Sequence, residues 1–529
     1  MRVLLVAPKF PISFYSLGEF FPGLGRKTTN PPLGLLTVAA LLPADWELRL
    51  VDENVRPLAQ DDYDFADTVW IGAMLPQRES ALELVREAKA RGRHVVGGGP
   101  FASSVPQEMI EAGCDVLVRG EAENQVPELV EAVLARRTGV LLEAGVRPSM
   151  TTSPMPRYDL IDFANYYSMS LQTTRGCPHN CEFCDVVNLN GRAPRSKTCD
   201  QVIAELSALF DLGWRGHVFL CDDNIIGDQK YARELLGRMV HWSKDHGEPF
   251  QFTAQASIDL ARHKDLIDML TEANVGEVFI GIETPDEDVL RKANKSNNVR
   301  NPLAESLRFI VQNGLLVQGS FIIGLDGERP GAGQRVIDFA QRAGLPQVML
   351  NMLTALPGTM LWHRYKKDDR VLPFENTQDM LLGVRMNTIP DRPTQEVIAE
   401  YVDAIAYLYS PTRYMKRVFD HIMLMRPTRT ALALQQVLPT VGKGQLVTGG
   451  GLKWLDVRVG LAFFWRHGIK ARHRGQFWLQ IVTIWRKNPS RLLSYIMLCI
   501  KCEAFSGFAK MAQARALELG VPLLRVPEA

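Results

Sequence analysis

Three cysteines lie close together in this chain at the spacing Cys-x3-Cys-x2-Cys: Cys177, Cys181 and Cys184. A [4Fe-4S] cluster that is fully bound by protein takes four cysteine thiolates. Three thiolates on one short segment would hold three irons and leave the fourth without a protein ligand. The pattern therefore predicts an open cluster whose free iron can bind a small molecule.

Two other interpretations compete for these cysteines. A structural zinc takes four Cys or His ligands, usually in two separated pairs, and although His179 is nearby, no second pair follows. A disulfide-rich fold is disfavoured because 8 Cys in 529 residues is a sparse content. The remaining cysteines are interpreted as small hydrophobic residues: Cys114, Cys199, Cys221, Cys499 and Cys502.

The composition narrows the class of protein. A net charge of +1, a hydrophobic fraction of 46% and a charged fraction of 22% are ordinary for a soluble globular chain and give no bias towards nucleic acid. At about 100–200 residues per domain, the length predicts three or four domains. The apolar start of the chain is too short for a secretory signal, and no uninterrupted apolar run approaches the ~18 residues of a membrane span. We therefore expect a cytoplasmic location.

Residues 1–145 alternate short apolar strands with helical stretches such as Arg78–Arg91, which predicts a Rossmann-like parallel sheet with helices on both faces. The predicted strands are Val3–Ala7, Glu47–Val51, Thr68–Gly72, His94–Val96 and Val116–Val118. Ligands of such sheets bind beyond the carboxyl ends of the strands. Gly97, Gly98 and Gly99 follow one strand, where the missing Cβ atoms would let the backbone approach a ligand; a tight turn explains them equally well.

Residues 165–375 repeat the strand–helix unit at least six times, which predicts a partial (β/α)6 barrel with its chemistry at the carboxyl ends of the strands. The predicted strands are Ser168–Thr173, His217–Cys221, Phe250–Ala254, Glu277–Gly281, Val317–Ile323 and Val348–Leu353. Helices are predicted between them, including Cys199–Leu212 and Asp286–Lys292. Asp223 and Glu283 stand at strand ends, although acidic residues at such places also serve as helix N-caps.

Residues 376–529 are predicted to be mostly helical, with one helix capped by Ser410 and beginning at Pro411. Gly449–Gly451 would form a flexible joint. Residues 452–491 carry nine Lys or Arg and one acid, with interleaved aromatic residues: Trp454, Phe463, Phe464, Trp465, Phe477, Trp478 and Trp485. This pattern is typical of peripheral contact with an anionic membrane surface. It also fits a helical cap with a solvated basic face; nucleic acid is a further possibility that the overall charge does not favour.

The cysteine segment at the start of a repeated strand–helix region resembles the radical S-adenosylmethionine (SAM) enzymes. The resemblance implies that the open iron binds the amino and carboxylate groups of SAM, and that an electron from the cluster cleaves SAM to a 5′-deoxyadenosyl radical. It implies that Arg195 pairs with the SAM carboxylate and that Phe183 lies near the adenine. The other cofactor-binding residues implied are Asp223, Gly281, Glu283 and Gly319.

Three segments of the first domain resemble the cobalamin-binding domain that precedes many radical SAM domains: Pro31–Leu35, Gly97–Pro100 and Gly120–Glu123. The resemblance implies that Gly97, Gly98, Gly99, Gly120 and Glu121 approach the cofactor. The motif Asp-x-His-x-x-Gly is absent, so cobalamin would bind without a histidine below the cobalt. The loop containing Met74 and Gln77 would face the lower side of the corrin.

Proteins with this layout include methyltransferases that act on unactivated carbons, some of them on hopanoid lipids. The resemblance therefore implies a C-methyltransferase that uses a [4Fe-4S] cluster, SAM and cobalamin, with an electron donor of flavodoxin or ferredoxin type and a small-molecule or lipid substrate. Contact of residues 452–491 with the inner face of the membrane would suit a lipid. Cyclisation, rearrangement or oxidation by the same radical is the alternative enzymatic outcome, and a cobalamin or redox sensor is the non-catalytic one.

Overall fold

A computed structural model describes residues 1–14, 25–143, 145–437 and 463–523 of the chain. Within these ranges the chain forms two parallel sheets, each flanked by helices, followed by a helical region. The α/β class, with two parallel-sheet domains and helices at the carboxyl end, is the class that the sequence predicts. The glycines 449–451 and the part of the basic segment before residue 463 lie outside the described residues.

The first sheet has the order β2-β1-β3-β4-β5-β6 in the described residues, and its strands are parallel. Its strands are β1 (Arg2–Ala7), β2 (Glu47–Asp52), β3 (Thr68–Gly72), β4 (His94–Gly98), β5 (Val116–Arg119) and β6 (Val140–Glu143). Its helices are α1 (Leu33–Leu41), α2 (Gln60–Phe65), α3 (Arg78–Ala90), α4 (Gly99–Ser104), α5 (Pro106–Glu111) and α6 (Val126–Leu134). The sequence predicted five of the strands and missed β6, which is short and half-exposed on an edge.

The second sheet is an open parallel sheet of order β14-β13-β12-β11-β10-β7 in the described residues, which is the predicted partial barrel. Its strands are β7 (Ser168–Leu171), β10 (Gly216–Leu220), β11 (Phe250–Ala256), β12 (Val275–Glu283), β13 (Leu316–Ile323) and β14 (Gln347–Met352). A separate antiparallel pair, β8 (Thr174–Arg175) and β9 (Arg195–Ser196), follows β7. The predicted first strand extended to Thr173, but the chain leaves the sheet after Leu171 to start this pair.

Helices cover the second sheet and continue beyond it. Those between its strands are α7 (Val186–Leu189), α8 (Cys199–Asp211), α9 (Gln229–Asp245), α10 (Lys264–Glu272), α11 (Glu287–Lys292), α12 (Ser296–Val299), α13 (Leu303–Gln312) and α14 (Ala332–Ala343). Those after β14 are α15 (Met360–Lys367), α16 (Thr377–Leu381), α17 (Thr394–Leu408), α18 (Pro411–Leu424), α19 (Arg429–Val437), α20 (Arg474–Lys487) and α21 (Leu492–Glu518), with a π-helical turn over Phe464–Lys470. Helix α18 begins at Pro411 as predicted, but the Ser410 side chain makes no cap bond and instead donates to the Tyr407 carbonyl.

Helix α21 belongs to the core of the carboxyl-terminal region. It packs against α17 and α18, and its Phe505 ring stacks on Phe14 with centroids 4.5 Å apart. By length and composition the segment Pro489–Glu518 is the one candidate membrane span among the described residues. Tyr495 and Cys499 are fully buried against other helices, and 39% of the apolar window of this segment is buried.

Candidate cofactor site

The three cysteines lie on a loop that leaves the barrel after β8 and returns before β9. Gly176 opens the loop with φ of 101°, and a Cβ there would stand 2.8 Å from the Ala193 carbonyl oxygen, so the turn requires glycine. All three thiols are free; Cys181 is buried, and Cys177 and Cys184 are partly exposed. Burial raises the pKa of each thiol, that of Cys184 to about 12. Iron binds the thiolate, so a neighbouring cation would assist these ligands.

That cation is Lys295, which the sequence analysis missed. Its Nζ donates to Glu283 Oε1 at 2.8 Å and lies 6.0 Å from the centre of the Phe183 ring. Burial works against its charge, but Glu283 and the Cys181 thiol raise the pKa of the Lys295 ammonium above its usual value. In return, Lys295 acts to lower the pKa of Cys181 against the larger effect of burial. Nothing in the sequence distinguishes this lysine from the exposed Lys292 nearby.

Glu283 occupies an unusual backbone position at the end of β12. Its φ is 66°, and the register of β12 against β13 shifts between Gly281 and Glu283, so the strand bulges there. A Cβ on Gly281 would overlap the Glu283 carboxylate, which explains why glycine precedes it. Such strain at a strand end is typical of functional sites. Gly281, Glu283, Phe183 and Lys295 therefore form one group beside Cys181, in which Glu283 is buried and the other three are partly exposed.

Two aspartates at the end of β10 hold the start of the cysteine loop. Asp222 is fully buried and accepts bonds from the backbone N–H groups of Thr173 at 2.6 Å and Thr174 at 2.9 Å, and from the Thr173 hydroxyl. Burial raises the pKa of Asp222 to about 6. Asp223 accepts from Gly176 N at 2.7 Å and from Asn190 Nδ2 at 3.0 Å. Asp223 is thus placed on the loop backbone, and its predicted contact with SAM stays a prediction.

Arg195 and Glu121, which the sequence analysis assigned to different cofactors, bind each other. Arg195 donates to the two Glu121 oxygens at 2.5 and 2.9 Å. Arg175, next to the loop glycine, pairs with Glu121 at 2.5 Å and with Glu123 at 2.8 Å. All four side chains are at most 18% exposed. This cluster of charges joins the first domain to the cysteine loop, and Arg195 would have to leave Glu121 in order to bind a SAM carboxylate.

The helical region holds the opposite side of the loop. Arg364 on α15 donates to Glu182 Oε1 at 2.7 Å and also pairs with Asp326, while Leu361 N donates to the Glu182 carbonyl at 2.9 Å. Glu182 lies between two of the cysteines. The sequence does not predict this ion pair, because 182 positions separate its two residues and neither has a distinctive neighbour. The cysteine loop is therefore clamped between the first domain and α15.

The glycines of the first sheet serve different purposes. A Cβ on Gly97 would come within 2.8 Å of the side chains of Leu117, Cys114 and Met109, so Gly97 is a packing requirement and faces no ligand. Gly99 has φ of 92°, and a Cβ there would lie 2.8 Å from the Ala73 carbonyl oxygen. Gly98 is the least crowded of the three, since the nearest atom to its Cβ position, Val118 Cβ, is 3.9 Å away in ordinary van der Waals contact. The predicted close approach of a cofactor therefore rests on Gly98.

The other residues predicted to bind cobalamin also have different roles: some fix the backbone, and one has an exposed side chain. Met74 is 50% exposed beyond β3, whereas Gln77 is buried, donates to the Pro8 carbonyl and accepts from Met74 N at 2.9 Å. Gln77 thus shapes the loop, and Met74 is its exposed side chain. Gly120 has φ of 87° and its N–H donates to Ser103 Oγ at 2.9 Å. Ala73 N donates to the Gly98 carbonyl at 3.2 Å, so Gly98 and Met74 lie at neighbouring strand ends, and their contact with cobalamin stays a prediction.

Gly319 was predicted to contact SAM, but its surroundings are apolar. A Cβ there would lie 2.8 Å from Ile282 Cδ1 and 3.1 Å from Leu345 Cδ1. Glycine is needed at this point of β13 for packing. In the part of the chain that the structure describes, no three His, Cys, Asp or Glu side chains converge to hold a single metal ion. The fit of the three cysteines to a cluster therefore rests on their shared loop, their free thiols and the nearby ammonium.

Three family models match successive parts of the chain. The B12 binding domain matches residues 24–130, the Radical SAM superfamily matches residues 171–340, and a domain of unknown function (DUF4070) matches residues 359–517. The first two matches correspond to the two parallel sheets. The third covers the described helices from α15 to α21 and includes Arg364, so it begins on the element that clamps the cysteine loop.

Two relatives are similar over most of the chain. An uncharacterized methyltransferase of Synechocystis sp. is 40% identical over 513 residues, which cover 97% of this chain and 93% of the relative. The hopanoid C-2 methylase of Rhodopseudomonas palustris is 32% identical over 485 residues, which cover 90% of this chain and 88% of the methylase.

Two solved structures share the fold. The cobalamin-dependent SAM radical enzyme OxsB, with aqua-cobalamin and SAM bound, superposes with a TM-score of 0.58 and 13% identity over 100% of this chain and 82% of that one. The radical SAM methyltransferase TsrM from Kitasatospora setae, with cobalamin and [4Fe-4S] cluster bound, superposes with a TM-score of 0.54 and 17% sequence identity. The match covers 69% of this chain and 78% of that one. At these identities the likeness concerns the fold alone.

Proposed function

This chain belongs to the cobalamin-dependent radical SAM methyltransferases, and we propose that it methylates an unactivated carbon of a hopanoid-type polycyclic lipid. The observation that carries the substrate class is the similarity to the hopanoid C-2 methylase over 90% of the chain. As a member of the family, the enzyme uses a [4Fe-4S] cluster, SAM and cobalamin, and needs a reductant and a small-molecule substrate. When bound, these cofactors supply a hydrogen-abstracting radical and the methyl group.

The residues of the chain hold and orient those groups. Cys177, Cys181 and Cys184 would bind the cluster, and Lys295 would assist the Cys181 thiolate. Glu283, whose carboxylate accepts from that ammonium, would accept hydrogen bonds from a hydroxyl or ammonium group of SAM. Met74 and the backbone at Gly98 would lie against cobalamin. The clamps at Glu121 and Arg364 would fix the loop between the two cofactor sites, since a small misplacement of reacting groups costs a large factor in rate.

An exposed apolar face on the carboxyl-terminal helices supports a lipid substrate. Trp478, Leu479, Val482 and Trp485 share one side of α20 and are 40–69% exposed, whereas Phe477 and Ile484 on the other side are buried. Exposed cations flank this face: Lys470, Arg472, Arg474, Arg486 and Lys487. We propose that it contacts the anionic surface of the membrane, with aromatic rings at the interface. Such contact would bring the enzyme to a substrate dissolved in the bilayer.

Methylation is tested with anaerobically reconstituted protein and methyl-labelled SAM. We expect bound cobalamin, SAM cleavage and a hopanoid product that is 14 mass units heavier. Failure to bind cobalamin or to transfer label would contradict the methyltransferase assignment. A product lighter by 2, or of unchanged mass, would indicate oxidation, cyclisation or rearrangement. A labelled product from another substrate class would contradict the lipid proposal alone.

Membrane contact is tested by co-sedimentation with vesicles of phosphatidylglycerol and phosphatidylcholine. Leu479→Ser should weaken binding to the anionic vesicles, because it removes apolar surface from the proposed face. Leu134→Ser is the matched control, since Leu134 is 59% exposed on the first domain and Leu479 is 69% exposed. Equal sedimentation of the two variants and of the unaltered protein would exclude this face as the contact.

A further inference from the structure

The concave side of the second sheet is lined by side chains that the described protein covers only in part. On the opposite side, the strand residues that face the covering helices are fully buried, such as Val218, Val278 and Val317. Since side chains of a strand alternate between its two faces, the residues between these face the inside of the partial barrel. Most of them stay partly exposed: Phe219, Thr253, Gln255, Phe279, Gln318, Ile322 and Asn351.

The floor of this interior, at the amino ends of the strands, is a closed set of polar groups. His217 on β10 bonds through its two ring nitrogens to the hydroxyls of Ser168 and Thr253, each at 2.8 Å. Lys501 reaches the floor from α21 and lies 3.7 Å from the Glu277 carboxylate. Burial lowers the pKa of His217 to about 4 although its ring is partly exposed, so the ring faces an enclosed space and not bulk solvent.

Two glutamines above the floor lack such partners. Gln255 follows Thr253 by two residues on β11, and Gln318 lies on β13. Both pair in register with Phe279 on β12, the strand between them, so the two amides belong to one layer of the interior. Neither side-chain amide makes a hydrogen bond to any described residue. Because an amide without a partner is costly in a poorly hydrated space, a ligand or an ordered water must satisfy each of them.

The walls around these amides are apolar. The rings of Phe219 and Phe279 and the side chain of Ile322 are partly exposed towards the interior. Ligand sites of proteins are typically apolar clefts in which a few polar groups fix the orientation of the ligand. The interior has this composition, and a polycyclic skeleton would cover the apolar walls.

The charge of this layer indicates what the amides bind. Gln255 and Gln318 are neutral, and the nearby Lys501 ammonium already donates to Gln347 Oε1 at 3.2 Å and is balanced by Glu277. A phosphate or carboxylate buried here would lack a free cation among the described residues, and an unpaired buried charge is costly. An amide both donates and accepts, so it suits a hydroxyl group, which does the same.

We propose that Gln255 and Gln318 bind a hydroxyl group of the substrate and thereby select a hydroxylated polycyclic lipid over the corresponding hydrocarbon. This inference rests on the proposed function and adds the polar group that the lipid carries. The layer lies two residues before Gly281 on β12, about 7 Å deeper along the strand than the cysteine site. A hydrocarbon in the same place would leave both amides without a partner, and a site built around hydrogen bonds discriminates strongly against such an analogue.

Selection is tested with two lipids of one skeleton, the hopanoid hydrocarbon diploptene and the hopanoid alcohol diplopterol. The unaltered protein should methylate the alcohol with a kcat/KM at least tenfold higher. In Gln255→Met/Gln318→Met this ratio should fall towards one, because Met is unbranched and similar in length to Gln but has no amide. Gln251→Met/Gln312→Met should keep the ratio; it makes the same change at two exposed glutamines, one of them on β11 below the floor.

Binding is measured separately, without reductant, as the amount of each lipid that immobilised protein retains through a detergent wash. The interior variant should lose the alcohol severalfold but retain the hydrocarbon at least as well as the unaltered protein, which a misfolded protein would not do. Equal retention of the alcohol by the two proteins, or of both lipids by the unaltered protein, would overturn the inference and leave the amides to water.

Failure of the proposed function gives a different result. If the unaltered protein cleaves SAM but methylates neither lipid, the lipid methyltransferase assignment is contradicted. The retention measurement still decides whether the two glutamines distinguish the alcohol from the hydrocarbon, because it needs neither reductant nor turnover.

Discussion

The carboxyl ends of the two parallel sheets carry contrasting chemistry. The first sheet ends in glycines, which have no side chain: the Cβ position of Gly98 is uncrowded, and Gly99 forms a turn with positive φ. The second ends in buried carboxylates: Asp222 accepts hydrogen bonds from the segment that leads into the cysteine loop, and Glu283 accepts one from a lysine. One edge carries little side-chain volume, and the other carries the charges that hold a small loop. Substitutions at the first edge should therefore act through volume, and those at the second through charge and hydrogen bonding.

The largest effect should come from the loop itself. Cys181→Ser replaces a thiolate ligand with a poor one, so we expect loss of the cluster and of SAM cleavage, while cobalamin binding by the first domain remains. Iron and sulfide analysis measures the cluster content, and the absorbance of bound cobalamin measures the cobalamin content of the same sample. Cys221→Ala is the control, because Cys221 is a free thiol outside the loop. Loss of cobalamin together with iron in Cys181→Ser would show that the two edges are not separable.

The reverse outcome is expected for Gly99→Val. The new Cβ would meet the Ala73 carbonyl, and φ of 92° costs a β-branched residue about 1–3 kcal/mol in backbone strain alone. Cobalamin content should fall severalfold while iron content is kept. Gly92→Ala is the control, with φ of 70° and nothing within 4 Å of its Cβ position. Normal cobalamin content in Gly99→Val would mean that this turn does not shape the predicted cobalamin site.

Local patterns and long-range contacts differ in how well the sequence predicts them. Strand β3 has the predicted bounds, because an apolar run between turns is a local signal. The chemistry of the cysteine segment is equally local. By contrast, Lys295 contacts Glu283 only because α11 and α12 fold against the end of β12. Arg364 contacts Glu182 only because α15 packs against the cysteine loop. No local rule distinguishes them from solvated cations.

The predicted cofactor contacts of the glycines and of Arg195 stay predictions, and the sequence could not show what else these residues contact. Gly97, Gly98 and Gly99 are the same residue type in one run, yet Gly97 is required by packing, Gly99 by its backbone conformation, and Gly98 by neither. Arg195 was assigned to a SAM carboxylate because a carboxylate ligand was expected. Glu121, on another domain, supplies a carboxylate that the sequence could not place beside it.

A smaller effect should follow from separating Glu283 and Lys295. Lys295→Met leaves a buried carboxylate unpaired, which for buried pairs costs about 3–5 kcal/mol. SAM cleavage should fall and the Tm should drop. Glu283→Gln/Lys295→Met should recover the Tm but not SAM binding, because the neutral pair removes the stranded charge and also the carboxylate. Lys292→Met, at an exposed lysine on α11, is the control. Full recovery of SAM binding in the double variant would reduce the pair to a structural role.

The smallest effect is expected at Asp222, where the charge is costly but its hydrogen bonds can be kept. In Asp222→Asn the amide oxygen can still accept from Thr173 N and Thr174 N, while the amide nitrogen donates to the Thr173 hydroxyl. Because burial raises the pKa of Asp222 to about 6, its ionised form destabilises the folded protein at neutral pH. The variant should therefore have a Tm a few degrees higher than the unaltered protein at pH 7.5 and nearly normal iron content.

The Tm difference between Asp222→Asn and the unaltered protein should depend on pH. A raised carboxyl pKa means that the stabilising contribution of the neutral form is complete below the unfolded value near 3.8 and is lost as the pH rises through about 6. The Tm difference between Asp222→Asn and the unaltered protein should thus shrink as the pH falls from 7 to 4.5, where Asp222 in the folded protein becomes neutral. A variant that is less stable at pH 7.5, or a difference independent of pH, would mean that the ionised carboxylate is needed to hold the loop. The second edge would then depend on charge at both of its buried carboxylates.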